Sequence, residues 1–254
     1  MKKSFLTLVL FSCALCMNAQ DTLRIMTFNL YSGGLASMEE LGKYIKQFSP
    51  DIVAVQEVDL RTNRPETPNQ RGKNQMAELG YFSDLLPIFG SINNYPTGGY
   101  YGMGFLSKNP IQSIVNIPLP QVVDKKEPRS MIVAQWNING KQLTIANTHL
   151  SLDINNREVQ LKHIRKYMKK VKGAKIVCGD LNSTPEEGLI PNIFKTWNDA
   201  LPEGVKTFSC WNPTYKYDWI LYDPKCNIQV INSQVDQSIK LSDHFPCIID
   251  IVLK

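Results

Sequence analysis

The chain lacks the features that mark several whole classes of protein. Beyond its first twenty positions no apolar run reaches the roughly 18 residues that a membrane-crossing helix needs, so no such helix is expected there. No internal repeat, block of like charge or Gly/Ser-rich linker divides it, which argues against repeat arrays, charged tails and tethered domains. Histidine is scarce, with 3 in 254 residues, and no Cys/His grouping has zinc-finger spacing. Strong charge is also missing: the formal net charge is +5. That is too mild to argue for nucleic-acid binding by itself.

What is present begins with the N-terminus. Lys2 and Lys3 precede an apolar stretch from Phe5 to Leu15, and Ala19 is a small residue before Gln20. Such an order predicts a secretory signal peptide over 1–19, cleaved after Ala19, with one domain over 20–254 and an exported, periplasmic or extracellular protein. Lipoprotein processing at Cys13 is the weaker alternative, because the apolar segment continues past it. Losing the leader removes two lysines and leaves 26 basic against 23 acidic residues, a net +3. Cys178, Cys210, Cys226 and Cys247 then remain. Cys178 and Cys247 sit in strand-like runs and read as buried thiols. Cys210 and Cys226 could pair in an oxidising compartment.

Short runs rich in branched apolar residues predict strands at Leu23–Phe28, Ile52–Val55, Tyr101–Leu106, Met131–Ile138, Leu143–Asn147, Lys175–Cys178, Tyr217–Tyr222, Ile228–Val230 and Phe245–Leu253. Asn139-Gly140 is the strongest hairpin signal. Leu41, Tyr44, Ile45 and Phe48 share one helical face, and Leu161, Ile164, Met168 and Val171 another. Residues 85–99, rich in Pro, Gly and Asn, read as a long loop. Many strands and few helices point to two packed sheets flanked by helices.

The informative pattern is where single polar residues fall. Asn29 ends the run Ile25–Phe28; Glu57 follows Ile52–Gln56; His149 follows Thr144–Thr148. Asp180 and Asn182 follow Ile176–Gly179, Asp218 begins Asp218–Leu221, and Asp243 and His244 precede Phe245–Ile249. Strand ends gathered on one rim of a sandwich can point such groups into a shared cleft. One coincidence of this kind carries little weight, but six suggest a site.

These same segments resemble, in order, the motifs of the endonuclease/exonuclease/phosphatase superfamily: Ile25–Leu30, Asp51–Val58, Asn147–Leu150, Gly179–Asn182, Tyr217–Ile220 and Ser242–Phe245. The ordered set, above all Gly179-Asp180-Leu181-Asn182 followed by Ser242-Asp243-His244, is specific, and the resemblance spans roughly Leu23 to Leu253. It implies an α/β four-layer sandwich of two mixed sheets between helices, and a Mg²⁺-dependent hydrolase of phosphate esters, with Mn²⁺ as a substitute ion. Magnesium prefers oxygen ligands, and Glu57 is the first candidate, with Asn29 and Asp243 completing the set as the resemblance implies. Histidine is the usual acid/base near neutral pH. His244 is assigned to water activation or transition-state hydrogen bonding, and the family pattern pairs it with Asp218. The resemblance leaves the base open between His244 and Asp180. Asn182 is expected to hold Asp180 and donate to a phosphoryl oxygen, and His149 to bond another. Arg129, in Glu127-Pro128-Arg129, matches a common family arginine that clamps phosphate.

One departure stands out. Many relatives carry a glutamate that supports the histidine matching His149, yet no acid lies between Asp84 and Asp124. Tyr100 or Tyr101 could substitute as a hydroxyl partner or contact the phosphate. His163 is given no role, and Arg61 and Arg64 could line the rim. The basic run from Lys162 to Lys172 reads as the solvated face of an outer helix. Trp197, Trp211, Tyr215 and Tyr217 could form an apolar lip or pack in the core. The expected partner is a phosphate-ester substrate, a phosphodiester first, with DNA or a phosphomonoester of inositol or lipid origin as alternatives; the protein is expected to be a monomer with no obligate protein partner.

Overall fold

Alternation along the strands sets the layering. In the computed structural model, which describes residues 22–254 apart from Glu66 and Lys125, strand β1 (Leu23–Asn29) turns Leu23 and Ile25 one way and Met26 and Phe28 the other, all of them buried. A strand that is apolar on both faces must be covered on both. The first sheet has the order β11 (Ile228–Val235), β12 (Cys247–Leu253), β1, β2 (Ile52–Leu60), β4 (Tyr100–Ser107) and β3 (Leu86–Asn94). The second runs β5 (Ser113–Pro118), β6 (Ser130–Ile138), β7 (Lys141–His149), β8 (Ala174–Asp180), β10 (Asp218–Tyr222) and β9 (Asn198–Asp199).

Three apolar layers follow. Ile25, Ala54, Phe105, Trp136, Ile145, Ile176, Ile220 and Ile249 fill the space between the sheets. Met26, Phe28, Val53 and Val55 pack on Leu41 and Ile45 of helix α1 (Met38–Gln47) and on Met76 and Leu79 of α2 (Gln75–Ser83). On the other side Val133, Ala146 and Val177 meet Leu161, Ile164 and Met168 of α3 (Ile154–Met168) and Ile190 of α4 (Leu189–Ile193). The result is a four-layer α/β sandwich of two mixed sheets, as the sequence implied.

Each sheet contains one parallel pair, β1/β2 and β7/β8, and all other neighbours are antiparallel. A parallel pair needs a crossover, and α1 and α3 supply the two. Ser37 caps α1 reciprocally with Glu40, and Asp153 caps α3. The β6–β7 hairpin turns at Asn139 and Gly140, both at positive φ, as the dipeptide demands.

Two expectations need correcting. Residues 85–99 are not a long loop, because Leu86–Asn94 forms β3 along β4. It is an edge strand, paired on one side and partly exposed, so Pro87 is tolerated and the apolar alternation is weak. The same holds for the exposed edge strand β5. Cys210 and Cys226 do not pair, and the four cysteines of the described residues are free. Cys210 accompanies Asp243 through its backbone N–H, whereas Cys226 lies beyond the far end of β10, beside Ala174 at the start of β8. The expected leader over 1–19 falls outside the described residues.

Candidate active site

The inward face of each central strand changes character along its length. On β1, β2 and β7 it is apolar at one end, then carries an amide or hydroxyl, and finishes in an ionisable or amide group at the rim; on β8 the Cys178 thiol stands at the middle level. Thr27, Gln56 and Asn147 form the middle layer: Gln56 Nε2 donates to Thr27 Oγ1 at 3.0 Å and to Asn147 Oδ1 at 2.7 Å. Above it sit Asn29, His149, Asp180 and Asp218. Because β7 and β8 are parallel, His149 is level with Asp180, and the antiparallel β10 sets Asp218 level with Asp180 on its other side. The strand ends on the other sheet contribute Asn29 and Glu57, and the segment before β12 contributes Asp243 and His244.

Two local backbone features aim these groups. Pairing of β2 with β4 shifts register between Gln56 and Val58, and Glu57 sits in that bulge at φ 54°. The extra residue returns Val58 to the helix-facing layer and leaves Glu57 beside Asn29. Gly179, immediately before Asp180, has φ 124°, and a Cβ there would collide with Thr148 O. Only glycine lets β8 approach β7 this closely at that conformation.

Asp180 is the hub. Its Oδ2 accepts from Asn29 Nδ2 at 3.0 Å and lies 3.5 Å from Nε2 of both His149 and His244; its Oδ1 accepts from the Asn182 N–H at 2.9 Å. Asn29 Nδ2 also donates to Glu57 Oε1 at 3.0 Å, while Asn29 Oδ1 accepts from the Tyr31 N–H. That last bond fixes the amide, so its nitrogen is what faces the carboxylates. Asn182 Nδ2 is bonded to Leu150 O. His244 Nδ1 is 2.8 Å from Asp218 Oδ2.

The electrostatics separate the two imidazoles. Burial pushes His149 well below its ordinary value, with Arg129 and His244 adding to the effect, so it is neutral. Burial alone would lower His244 too, but Asp218 and Asp180 outweigh it and hold the ring up at about 10. Burial raises the carboxyls of Glu57, Asp180 and Asp243. Asn29 opposes that at Glu57, and His244 does so at Asp180 and Asp243.

Such a set fits a divalent cation. The donors are oxygens, and three carboxyls held above their ordinary range by burial would be relieved by added positive charge. Asp180, Asp218 and His244 place ligand atoms within 4.8 Å of one another. Within that trio, however, Nδ1 of His244 is already committed to Asp218. Glu57 and Asp243 are the freer oxygen donors.

Arg129 is buried just before β6, with Nη2 on Glu127 at 2.8 Å and with Nε and Nη1 lacking partners among the described residues. Buried guanidinium N–H groups without acceptors are costly, and the charge of this one is felt at His149, Glu57 and Tyr101. Tyr101 is buried and its hydroxyl is pushed well above its ordinary value, by burial first and then by Glu57. Neither tyrosine replaces the missing glutamate: His149 Nδ1 has no partner among the described residues, and Tyr100 is exposed at the edge of β4. Arg64 is not at the rim but turned inward, bonded to Asp59 and Ser32 and lying over the Tyr101 ring.

Sequence reasoning missed the groups that hold the site. Ser242 Oγ donates to Asn29 O at 2.7 Å and accepts from the His244 N–H, tying the segment before β12 to the end of β1. Thr207 Oγ1 accepts from the N–H groups of Tyr217 and Asp218. Ser242 stood inside a noted motif, so position was its signal, whereas Thr207 had none. Trp197 is core, packed on Phe194. Trp211 and Tyr215 are exposed. His163 is half-buried on α3, and the lysines from Lys162 to Lys172 are exposed.

A four-layer sandwich with this acid-and-imidazole cluster at one rim defines a class of phosphoesterase-type hydrolases. The chain belongs to the Endonuclease/Exonuclease/phosphatase family, whose profile matches residues 26–244. Members of that family generally depend on a divalent metal. Among solved structures it is similar to an endonuclease/exonuclease/phosphatase from Beutenbergia cavernae, with 20% identity, 91% of this chain and 72% of that one covered, and a TM-score of 0.75. It is likewise similar to one from Bacteroides vulgatus, with 20% identity, 92% and 100% covered, and a TM-score of 0.72. The human nocturnin catalytic domain is 21% identical, with 92% and 94% covered and a TM-score of 0.67. Among curated proteins there is no match.

Proposed function

We propose that this protein is a Mg²⁺-dependent phosphodiesterase, with Mn²⁺ able to replace Mg²⁺. The observation that carries the reading is the placing of Asp180 between a neutral and a charged imidazole, each 3.5 Å away, with Glu57 adjoining through Asn29. Glu57 and Asp243 would hold the ion, with Asn29 fixing Glu57; when bound, it supplies positive charge against the phosphoryl oxygens.

The residues divide the remaining work. His244 is already protonated at neutral pH, so it serves as a hydrogen-bond donor to a phosphoryl oxygen rather than as the base. Asp180, whose affinity for a proton is raised by burial, takes the proton of the attacking water. Asp218 orients His244 and keeps it charged. Arg129 offers the N–H groups of its unpartnered Nε and Nη1 to the phosphate, and Tyr101 lines the same wall. Asn182 fixes Asp180 through its backbone, and neutral His149 flanks the phosphoryl group. Water attacks in line, the opposite P–O ester bond breaks, and the departing alkoxide takes a proton from solvent. No covalent intermediate forms. The charge at the N-terminus and the apolar run behind it support an exported enzyme.

The test is hydrolysis of bis-p-nitrophenyl phosphate, p-nitrophenyl phosphate, plasmid DNA and sphingomyelin with Mg²⁺ or Mn²⁺, with and without chelator. Glu57→Ala and His244→Ala should each cut turnover by roughly 10²-fold or more while the protein stays folded. Near wild-type activity in both would reject the site. A monoester or DNA strongly preferred over the diester would replace the phosphodiesterase reading.

A further inference from the structure

A row of aromatic rings leads out of the cleft and has no part in the chemistry above. Phe208 lies against His244, ring centres 4.8 Å apart, and against Tyr217 at 5.5 Å. Tyr217 is stacked on Tyr215 at 5.3 Å with the planes only 13° apart. Exposure rises along the row: Phe208 and Tyr217 are half-buried, Tyr215 is 47% exposed, and Trp211 on the same hairpin is 59% exposed. A parallel stack covers one face of Tyr215 and leaves the other to solvent.

The hairpin that carries these rings is fastened to the site. Phe208 bridges both Tyr215 and His244, the Cys210 N–H donates to Asp243 O, and Thr207 Oγ1 anchors the backbone of Tyr217 and Asp218. An exposed tyrosine face and an exposed indole are thus held at a fixed position from the imidazole that faces the phosphate. Core packing accounts for Phe208 and Tyr217 but not for Tyr215 and Trp211, whose outer surfaces nothing covers among the described residues.

We infer that this hairpin is a specificity element that stacks a flat, polar-edged ring carried by the ester's own alcohol, a nucleobase or a pyranose. The inference rests on the phosphoesterase reading and names its substrate class. An acyl chain would need an aliphatic groove; here the exposed polar residues Asn212 and Thr214 lie between Trp211 and Tyr215 in the chain. Stacking on aromatic faces tolerates either ring type, since both present a flat face.

The experiment compares glycerol 3-phosphate, glucose 6-phosphate and thymidine 5′-monophosphate, each as the monoester and as its methyl diester, followed by ³¹P NMR with Mg²⁺. Wild type should favour one ring-bearing pair over glycerol. Tyr215→Ala and Trp211→Ala should raise KM for that pair by about tenfold, leave kcat nearly unchanged, and leave the glycerol esters within about twofold. Tyr215→Phe should retain the preference. Preference for the glucose esters identifies a pyranose, and for the thymidine esters a base. Metal-dependent turnover with no ring preference, or equal losses on ring-bearing and ringless esters, overturns this inference and leaves the phosphoesterase reading standing. Absence of turnover across the panel overturns both.

Discussion

Gln56 of β2 and Asn147 of β7 are bonded across the gap between the two sheets, Nε2 to Oδ1 at 2.7 Å. Asn147 Nδ2 in turn donates to Val55 O and Gly104 O on the facing sheet, at 3.0 and 2.9 Å. Both side chains are fully buried directly beneath the ionisable layer. Buried polar groups with good partners fix one arrangement of the elements they join. Here they set how the edge carrying Glu57 stands against the edge carrying His149 and Asp180.

Replacing Asn147 with Leu would take the shortest acceptor from the Gln56 amide and the amide donor from two carbonyls in a buried interior. A loss of about 2–4 kcal/mol is expected, read by urea denaturation, together with a fall in kcat larger than any change in KM. An unchanged denaturation midpoint would show that the layer does not hold the sheets together.

The Asp218–His244 pair predicts a specific titration. In metal-free protein, NMR should find His244 protonated through neutrality and losing its proton at about 10, well above its ordinary 6.5. A folded-state value raised in this way contributes stability that is complete below about pH 6.5 and is lost as pH rises through about 10. Asp218→Asn should lower that titration, because burial persists while only Asp180 and Asp243 remain to oppose it. It should also lower kcat by roughly 10²–10⁴. A His244 titration near 6.5 in the wild type would remove the argument against it as the base.

Divalent ions should stabilise the folded state through the raised carboxyls. Mg²⁺ at a hundred times its dissociation constant is expected to add about 2.7 kcal/mol. Thermal melts with and without chelator should show this as a rise in Tm, and Glu57→Gln should abolish most of it. A full rise in the Glu57→Gln protein would place the ion elsewhere.

Gly179→Ala tests the close approach of β8 to β7. With φ at 124° and Thr148 O in the path of a Cβ, the substitution should cost more than about 2 kcal/mol. It should reduce activity further by displacing Asp180. Wild-type melting and turnover would mean that the strands can shift without cost.

How far the sequence could be read depended on how local the cause was. Strands buried on both faces, such as β1, β2 and β8, show as apolar runs, and the polar residue closing each run marks the rim. Helices α1 and α3 show by their 3.6-residue period. The edge strands β3 and β5 do not, since half their surface faces solvent and little selects their composition. The pairing considered for Cys210 and Cys226 failed because residues 16 apart in sequence can lie at opposite ends of one strand. The partner expected for His149 failed similarly, since a nearby hydroxyl in sequence need not point at the ring.

By itself the sequence determined the layers, the family and the identity of the rim residues, because burial and strand ends are written in short-range patterns. Only the tertiary structure decided which imidazole is charged, which way the Asn29 amide faces and where the aromatic hairpin docks. Those outcomes depend on distances and burial between segments as much as two hundred residues apart, and the field at a buried site is the sum of groups that no single stretch of chain contains.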